Sequence, residues 1–226
     1  MCKAPQPGRA KTRLAAIIGA EAAAALSAAF LRDVAAAIEA IPAELGYTGY
    51  GVYAPVGAEA ELRQVLPPSF RLLLQVDADF ANVLHGAARD LLSAGHDCAL
   101  LVNSDSPTLP SRLMADAIAA LRRTGDRMVL GPASDGGYYL IGLKQAHRRV
   151  FTDIPWGTSD VARLTLARAE EIGLEAVLLP EWYDVDDSES LDWLRAELAG
   201  RSTRFRNGGP AAATRKCLAR ASAAAR

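Results

Sequence analysis

"CALLVNSDSPTLP" (residues 98–110) decides how this chain reads. It opens as an apolar run, the pattern of a buried strand, and stops at Asn103, Ser104 and Asp105. Pro107 and Pro110 stiffen the exit, and Pro110 suits the opening of a helix over 110–123 with Leu113, Ile118 and Leu121 facing inward. A buried strand that ends in an acid and passes into a helix belongs to an α/β sheet. In such sheets ligands bind beyond the carboxyl ends of the strands.

The same grammar holds on both sides of this stretch. Upstream, Leu26, Phe30, Val34, Ile38 and Ile41 recur at helical steps among alanines, which predicts a long helix over 20–41. Strand-like "YTGYGVYAP" (47–55), a short helix at 58–66, strand-like "FRLLLQ" (70–75) and a helix at 80–94 follow. Downstream, "RMVLGPA" and "YYLIGL" are strand-like runs separated by a turn at Ser134 to Gly137. A helix from Thr158 or Ser159 to about Ile172, a strand at 174–180 and a helix from Ser188, a plausible N-cap, to Leu198 complete the series. The expectation is a three-layer αβα domain over 1–199, with a mainly parallel sheet and right-handed crossovers.

Composition narrows the class. At 226 residues, half of them hydrophobic, the chain can bury one generous core. Its three cysteines, Cys2, Cys98 and Cys217, are too scattered for a disulfide framework, and no Cys or His pair has zinc-ligand spacing. No apolar run is long enough to span a bilayer and no signal region opens the chain, so a cytoplasmic protein without membrane partners is expected. The net charge of −1 hides an asymmetry: from Gly200 on there are seven basic residues and no acidic one. Residues 200–226 therefore read as a flexible, solvated basic tail, with few aromatics to suggest nucleic acid.

Chemistry gathers where strands end. "KAPQPGRAKTRL" (3–14) sets Lys3, Arg9, Lys11 and Arg13 around a Pro-Gly turn, so backbone amides and fixed charge can converge on a phosphate-rich ligand; a solvated basic loop is the alternative. Asp105, directly after its strand, suits a hard divalent ion, Mg2+ or Mn2+, which takes one or two carboxylates and keeps waters or substrate phosphates. In "YDVDDSESL" (183–191), Asp184 and Asp186 share one side of an extended segment, and Asp186 is the candidate for a second metal carboxylate. The alternative is acidity favoured by the helix that follows. In "GPASDGGYYLIG" (131–142), Asp135 sits in a Gly-Gly turn that is either a plain hairpin or a device bringing a carboxylate to the rim of the sheet, there to act as general base or to orient a substrate.

"KAPQPGRAKTRL", "NSDSPTLP", "LGPASDGGYYLIGL", "IPWGTSDV" and "YDVDDSESL", in this order and spacing, closely resemble a family of bacterial GT-A-type transferases known as arsenosugar-biosynthesis glycosyltransferases or radical-SAM/selenodomain-associated transferases. The resemblance covers about residues 3–194 and implies a nucleotide-diphospho-sugar transferase fold. By that likeness Lys3, Gly8, Arg9, Lys11, Arg13 and Ser104 would hold the nucleotide, and Asp105 and Asp186 the metal. Asp135, Gly136, Gly137 and Tyr138 would face the acceptor or sugar, with Trp156, Gly157 and Thr158 as an acceptor-side wall.

Two departures stand out. The family pattern has a strand ahead of the basic loop, whereas only Met1 and Cys2 precede Lys3 here; the fold is therefore expected to lack its first strand, through a start codon assigned too late, a natural truncation or a replacement strand from elsewhere. "QVDADFANVLHGA" (75–87) lacks the family's Leu-Gly-Glu-Arg segment after Gln75, and His85 there reads as packing or surface. The expected function is metal-dependent transfer from a nucleotide-activated sugar to a small-molecule acceptor. The alternatives are nucleotidylyl transfer from a nucleoside triphosphate to a phosphorylated small molecule with release of pyrophosphate, or nucleotide binding without catalysis.

Overall fold

A computed structural model describes residues 1–76 and 78–224; Asp77, within the 75–87 segment, and residues 225–226, at the end of the basic tail, lie outside it. Seven strands and eight α-helices are assigned among the described residues. The strands are β1 (Cys2–Lys3), β2 (Tyr50–Ala54), β3 (Arg71–Leu74), β4 (Ala99–Val102), β5 (Arg127–Pro132), β6 (Tyr138–Leu143) and β7 (Glu175–Leu178). The helices are α1 (Thr12–Ile18), α2 (Ala20–Glu39), α3 (Glu59–Arg63), α4 (Phe80–Ser93), α5 (Ser111–Leu121), α6 (Val161–Glu171), α7 (Ser188–Leu198) and α8 (Ala212–Ala224).

The strands form a three-stranded sheet, β1-β2-β3, and a four-stranded sheet, β4-β6-β5-β7. Helices cover both faces of the second, because its strands alternate their side chains between two apolar layers. Val129 and Leu140 join Leu26, Phe30 and Val34 of α2 and Leu113, Met114 and Ile118 of α5 on one face. Met128, Leu130 and Ile141 join Leu84, Ala88 and Leu91 of α4 and Ala169 of α6 on the other. Phe30, Leu113, Leu130 and Ile141 are at most 1% exposed, and fully burying such a side chain is worth about 1.5–3 kcal/mol. The three-layer expectation thus holds, and it rests on the period-two pattern of the strands against the 3.6-residue pattern of the helices.

The three-stranded sheet is parallel throughout, and the four-stranded sheet has one reversed strand: β6 runs antiparallel to both β4 and β5, while β5 and β7 are parallel. The turn between β5 and β6 is therefore a true hairpin, and it delivers residues 133–137 to the edge where β4 and β5 are joined by its chain return. Asn103 N donates to Tyr139 O at 2.9 Å, which sets the end of β4 beside the start of β6. A first strand, expected to be missing, is present as the two residues of β1, parallel to β2 with Cys2 opposite Tyr53.

Local departures have local causes. Residues 12–14, read as the end of a basic loop, open α1, which buries Leu14. Helix α7 is capped by Asp187 and not by Ser188: the Asp187 carboxylate accepts from Ser190 N at 2.9 Å, and Ser190 returns a bond through Oγ. The segment from Gly200 on is no loose tail among the described residues. Phe205 is buried, with its ring 4.5 Å from that of Tyr183, and the buried Asp33 carboxylate of α2 accepts from Ala213 N and Thr214 N at 2.9 and 2.8 Å, seating α8 against α2. No described helix is long and apolar enough to cross a membrane.

Candidate active site at the carboxyl ends of the strands

Main-chain bonds assemble the site before any side chain contributes. Val185 N donates to Asp105 O at 2.8 Å, so the segment after β7 lies against the end of β4. Trp182 N donates to Pro132 O and Ser134 N to Trp182 O, at 3.1 and 2.9 Å, so the same segment also clasps the β5–β6 turn. Beneath it, the Trp182 and Tyr183 rings are buried, with Trp182 Nε1 donating to Thr108 Oγ1 at 3.3 Å and Tyr183 OH to Glu197 Oε2 at 2.5 Å. Asp105, Asp135 and the acids at 184 and 186 are thereby brought to one edge, the carboxyl edge of the parallel strands.

Lys11 ties that edge to the basic loop. Its Nζ lies 2.7 Å from Asp105 Oδ1 and 2.7 Å from Asp186 Oδ1, and it donates to Val185 O at 2.7 Å. The Lys11 side chain is 5% exposed, and its backbone sits in the left-handed region at φ 49. Burial works to lower the Lys11 pKa, but the two carboxylates outweigh it by charge and hydrogen bonding and hold it above the ordinary lysine value. Arg13 Nη2 reaches the other oxygen of Asp186 at 3.0 Å from an exposed position. Lys3, at the end of β1, and Gly8 and Arg9 in the loop are exposed, and neither Lys3 nor Arg9 has an ion pair among the described residues. Ser104 Oγ is 3.5 Å from Asp105 Oδ1.

Asp135 is exposed at the tip of the hairpin, and its Oδ1 accepts from Gly137 N at 2.8 Å. The hairpin is tight for a reason outside itself: Gly136 has φ +90, and a Cβ there would stand 2.1 Å from Ser159 O. Gly136 O in turn accepts from Ala162 N at the start of α6. Tyr138 follows with its ring centroid 6.3 Å from that of Trp156, which meets Phe80 edge-on at 4.9 Å. Trp156 of this aromatic wall also lines a cleft of about 280 Å3, together with Phe151, Asn82, Arg148 and Thr152. Gly157 and Thr158 are exposed beyond it, and Thr158 Oγ1 donates back to Pro155 O at 2.8 Å.

Sequence reasoning left Asp184 out of the site. Burial pushes its pKa up to about 7, reinforced by the negative charges of Asp135, Asp186 and Asp105. The sequence signal was the acid-rich "DVDD" after a strand; what it lacked was the fold that sets Asp135 close by. Among the described residues no group of three or more His, Cys, Asp or Glu side chains is arranged to hold a metal alone. Two carboxylates that already converge on one positive charge do fit an ion such as Mg2+, which takes one or two protein carboxylates and completes its shell with waters and substrate phosphate.

Residues 47–158 match the family described as "Uncharacterized protein conserved in bacteria (DUF2064)". A phosphoenolpyruvate guanylyltransferase of Roseiflexus sp. (strain RS-1) is 30% identical over 190 residues, covering 82% of this chain and 79% of that protein. Among solved structures, a protein of Desulfovibrio desulfuricans G20 provisionally classed as a nucleotide-diphospho-sugar transferase superposes with a TM-score of 0.82 at 29% identity, over 98% of this chain and 94% of its own. CMP:2-keto-3-deoxy-manno-octonic acid synthetase, solved with CTP, superposes at 0.54 with 10% identity, over 76% of this chain and 88% of its own, a likeness of fold alone. By the sequence match and the fold together, the chain belongs to the same family as the Roseiflexus protein, matches the DUF2064 family over residues 47–158, has the nucleotide-diphospho-sugar transferase fold, and has transferases as its relatives.

Proposed function

We propose that this chain is a metal-dependent nucleotidylyltransferase, joining a nucleoside triphosphate to a small phosphorylated acid and releasing pyrophosphate. The observation that carries the reading is the Lys11 ammonium shared by Asp105 and Asp186, which gathers a phosphate-binding loop and two metal-type carboxylates at one point. The relative at 30% identity, named as a phosphoenolpyruvate guanylyltransferase, favours nucleotidylyl transfer and makes phosphoenolpyruvate the first acceptor to try.

In this mechanism Arg13, Arg9 and Lys3 draw the triphosphate to the strand ends, and Lys11 neutralises charge on its phosphates. Asp105 and Asp186 would hold the divalent ion, which supplies charge stabilisation of the reacting phosphate. An acceptor oxygen attacks the α-phosphorus while the bond to the β-phosphate oxygen breaks and pyrophosphate departs. Asp135, exposed and held by Gly137 N, orients the acceptor or takes its proton if it carries one.

A second reading is glycosyl transfer from a nucleotide-activated sugar, of the arsenosugar-biosynthesis kind. The Phe80–Trp156–Tyr138 wall beside the Asp135 hairpin favours it, since apolar rings suit a sugar face, as does the fold match over 98% of the chain. The two differ in product. Incubating the protein and Mg2+ with a panel of triphosphates and phosphorylated acids, and separately with diphospho-sugars, should release pyrophosphate only in the first. Free nucleoside diphosphate in the second would replace the first reading with the second, and nucleotide binding without turnover in either would leave a binding protein. Asp135→Asn should lower kcat by about 10²–10⁴ if it handles a proton.

A further inference from the structure

Beneath the carboxyl edge lies a polar cluster that the chemistry above does not use. Tyr183, wholly buried, sits among three rings, with centroids at 4.5 Å for Phe205, 6.1 Å for Trp182 and 6.1 Å for Trp193. Its hydroxyl donates to Glu197 Oε2 of α7 at 2.5 Å. Thr108 Oγ1 donates to that same hydroxyl at 3.5 Å and accepts from Trp182 Nε1 at 3.3 Å. The segment after Gly200 closes over the cluster: Gly209 N donates to Thr108 O at 2.7 Å, and Gly208 packs so closely that a Cβ on it would stand 2.0 Å from Glu197 Oε1.

Thr108 and Tyr183 belong to the two segments that carry the candidate metal carboxylates. Thr108 lies three residues after Asp105, and Tyr183 three before Asp186. Tyr183 and Val185 are wholly buried and alternate with Asp184 and Asp186, so whatever anchors the first pair aims the second. One main-chain bond, Val185 N to Asp105 O at 2.8 Å, joins the segments directly. A single bond is a pivot. Packing of flat rings is non-directional and would let the 182–186 stretch slide over Phe205, whereas a hydrogen bond holds to a distance and an angle. The Tyr183 hydroxyl, fixed between Glu197 and Thr108, supplies the second point of attachment.

Stability alone does not ask for this arrangement. A carboxylate and a phenol set among apolar rings lose their water, and replacing both partners by apolar groups of similar shape is close to neutral or favourable. We propose that Glu197 is a positioning residue: by holding the Tyr183 hydroxyl it fixes the spacing and aim of Asp105 and Asp186, so that both carboxylates meet one divalent ion. The assignment rests on the metal-dependent reading above. Glu197 acts through Tyr183 and takes no part in the chemistry itself.

The test compares the parent protein with Glu197→Gln, Glu197→Leu and the double variant Tyr183→Phe/Glu197→Leu. Mn2+ binding is followed by loss of the electron paramagnetic resonance signal of the free aqua ion, and pyrophosphate release by kcat and KM at saturating Mg2+. The double variant, which removes both polar partners, should keep or raise its Tm. It should nonetheless bind Mn2+ about 10–100-fold more weakly and lose about 10–100-fold in kcat, with KM for the triphosphate nearly unchanged because Lys3, Arg9 and Arg13 are untouched. Glu197→Gln, whose amide oxygen still accepts from Tyr183, should stay within about threefold of the parent in both. Should the double variant unfold, Glu197→Leu makes the comparison with the Tyr183 ring left in place. Equal Mn2+ affinity in the parent and in a folded variant lacking the Glu197 carboxylate would overturn the proposal, and so would a loss in Glu197→Gln as large as in Glu197→Leu. A parent that binds Mn2+ but releases no pyrophosphate removes the transferase reading, and the Mn2+ comparison still decides on Glu197; a parent that binds no Mn2+ sinks both.

Discussion

At the scale of single residues, the site is held by backbone constraints more than by its charges. Gly136 is the sharpest case, since φ +90 disfavours any side chain and a Cβ would overlap Ser159 O at 2.1 Å. Gly136→Ala should cost about 3 kcal/mol or more, read as a lowered denaturation midpoint, and should displace Asp135 so that kcat falls even where the protein stays folded. Asp184 gives a prediction in pH. Its folded pKa of about 7 lies above the ordinary carboxylate value, so the folded state binds the proton more tightly than the unfolded chain does. Its contribution is fully favourable below the unfolded pKa, fades as pH rises toward 7 and is lost above it. Asp184→Asn should therefore raise Tm near pH 8 in metal-free buffer and leave it nearly unchanged near pH 4; an equal shift at both would show that Asp184 is not the titrating group.

At the scale of elements, much was legible and the exceptions are instructive. The alternation of strands and helices from residue 47 to 198 could be read because each element carries its own period, and strand ends could be read because acids and prolines mark them. Asp105, Asp135 and Asp186 were picked out as candidates that way, and the structure brings Asp105 and Asp186 together on Lys11. Helix α1 escaped because seven residues with one buried side chain, Leu14, carry too little periodicity beside a cluster of cations. Helix α8 escaped because its seat depends on Asp33, about 180 residues away, whose carboxylate supplies the bonds that the start of the helix needs. Asp184 was missed for the same reason, its environment being set by residues distant in sequence. Asp33→Ala should cost about 1–2 kcal/mol and expose the segment after Gly200 to limited proteolysis at a concentration of protease that leaves the unaltered protein intact.

At the scale of the whole molecule, the Lys11 cluster joins three segments that are remote along the chain, at 11, 105 and 186. A ligand that bridges them binds the folded state only, and at a hundred times its Kd it should add about 2.7 kcal/mol to stability. A nucleoside triphosphate with Mg2+ should accordingly raise Tm by about 5–10 °C, and chelation of the metal should take most of that shift away. The shift should be much smaller in Lys11→Met, where the two carboxylates lose their shared counter-charge.

The one reversed strand has an evolutionary corollary. Because β6 returns directly alongside β5, the residues between them begin and end in adjacent strands, and Ala133 N to Gly137 O closes them at 2.9 Å. The turn is also moored at two points outside the hairpin, by Ser134 N on Trp182 O and by Ala162 N on Gly136 O, so its length is fixed from both sides. Homologues are thus free to diversify what they recognise through the side chain at the exposed position 135 and not through the length of the turn, while the cationic anchor opposite stays as it is.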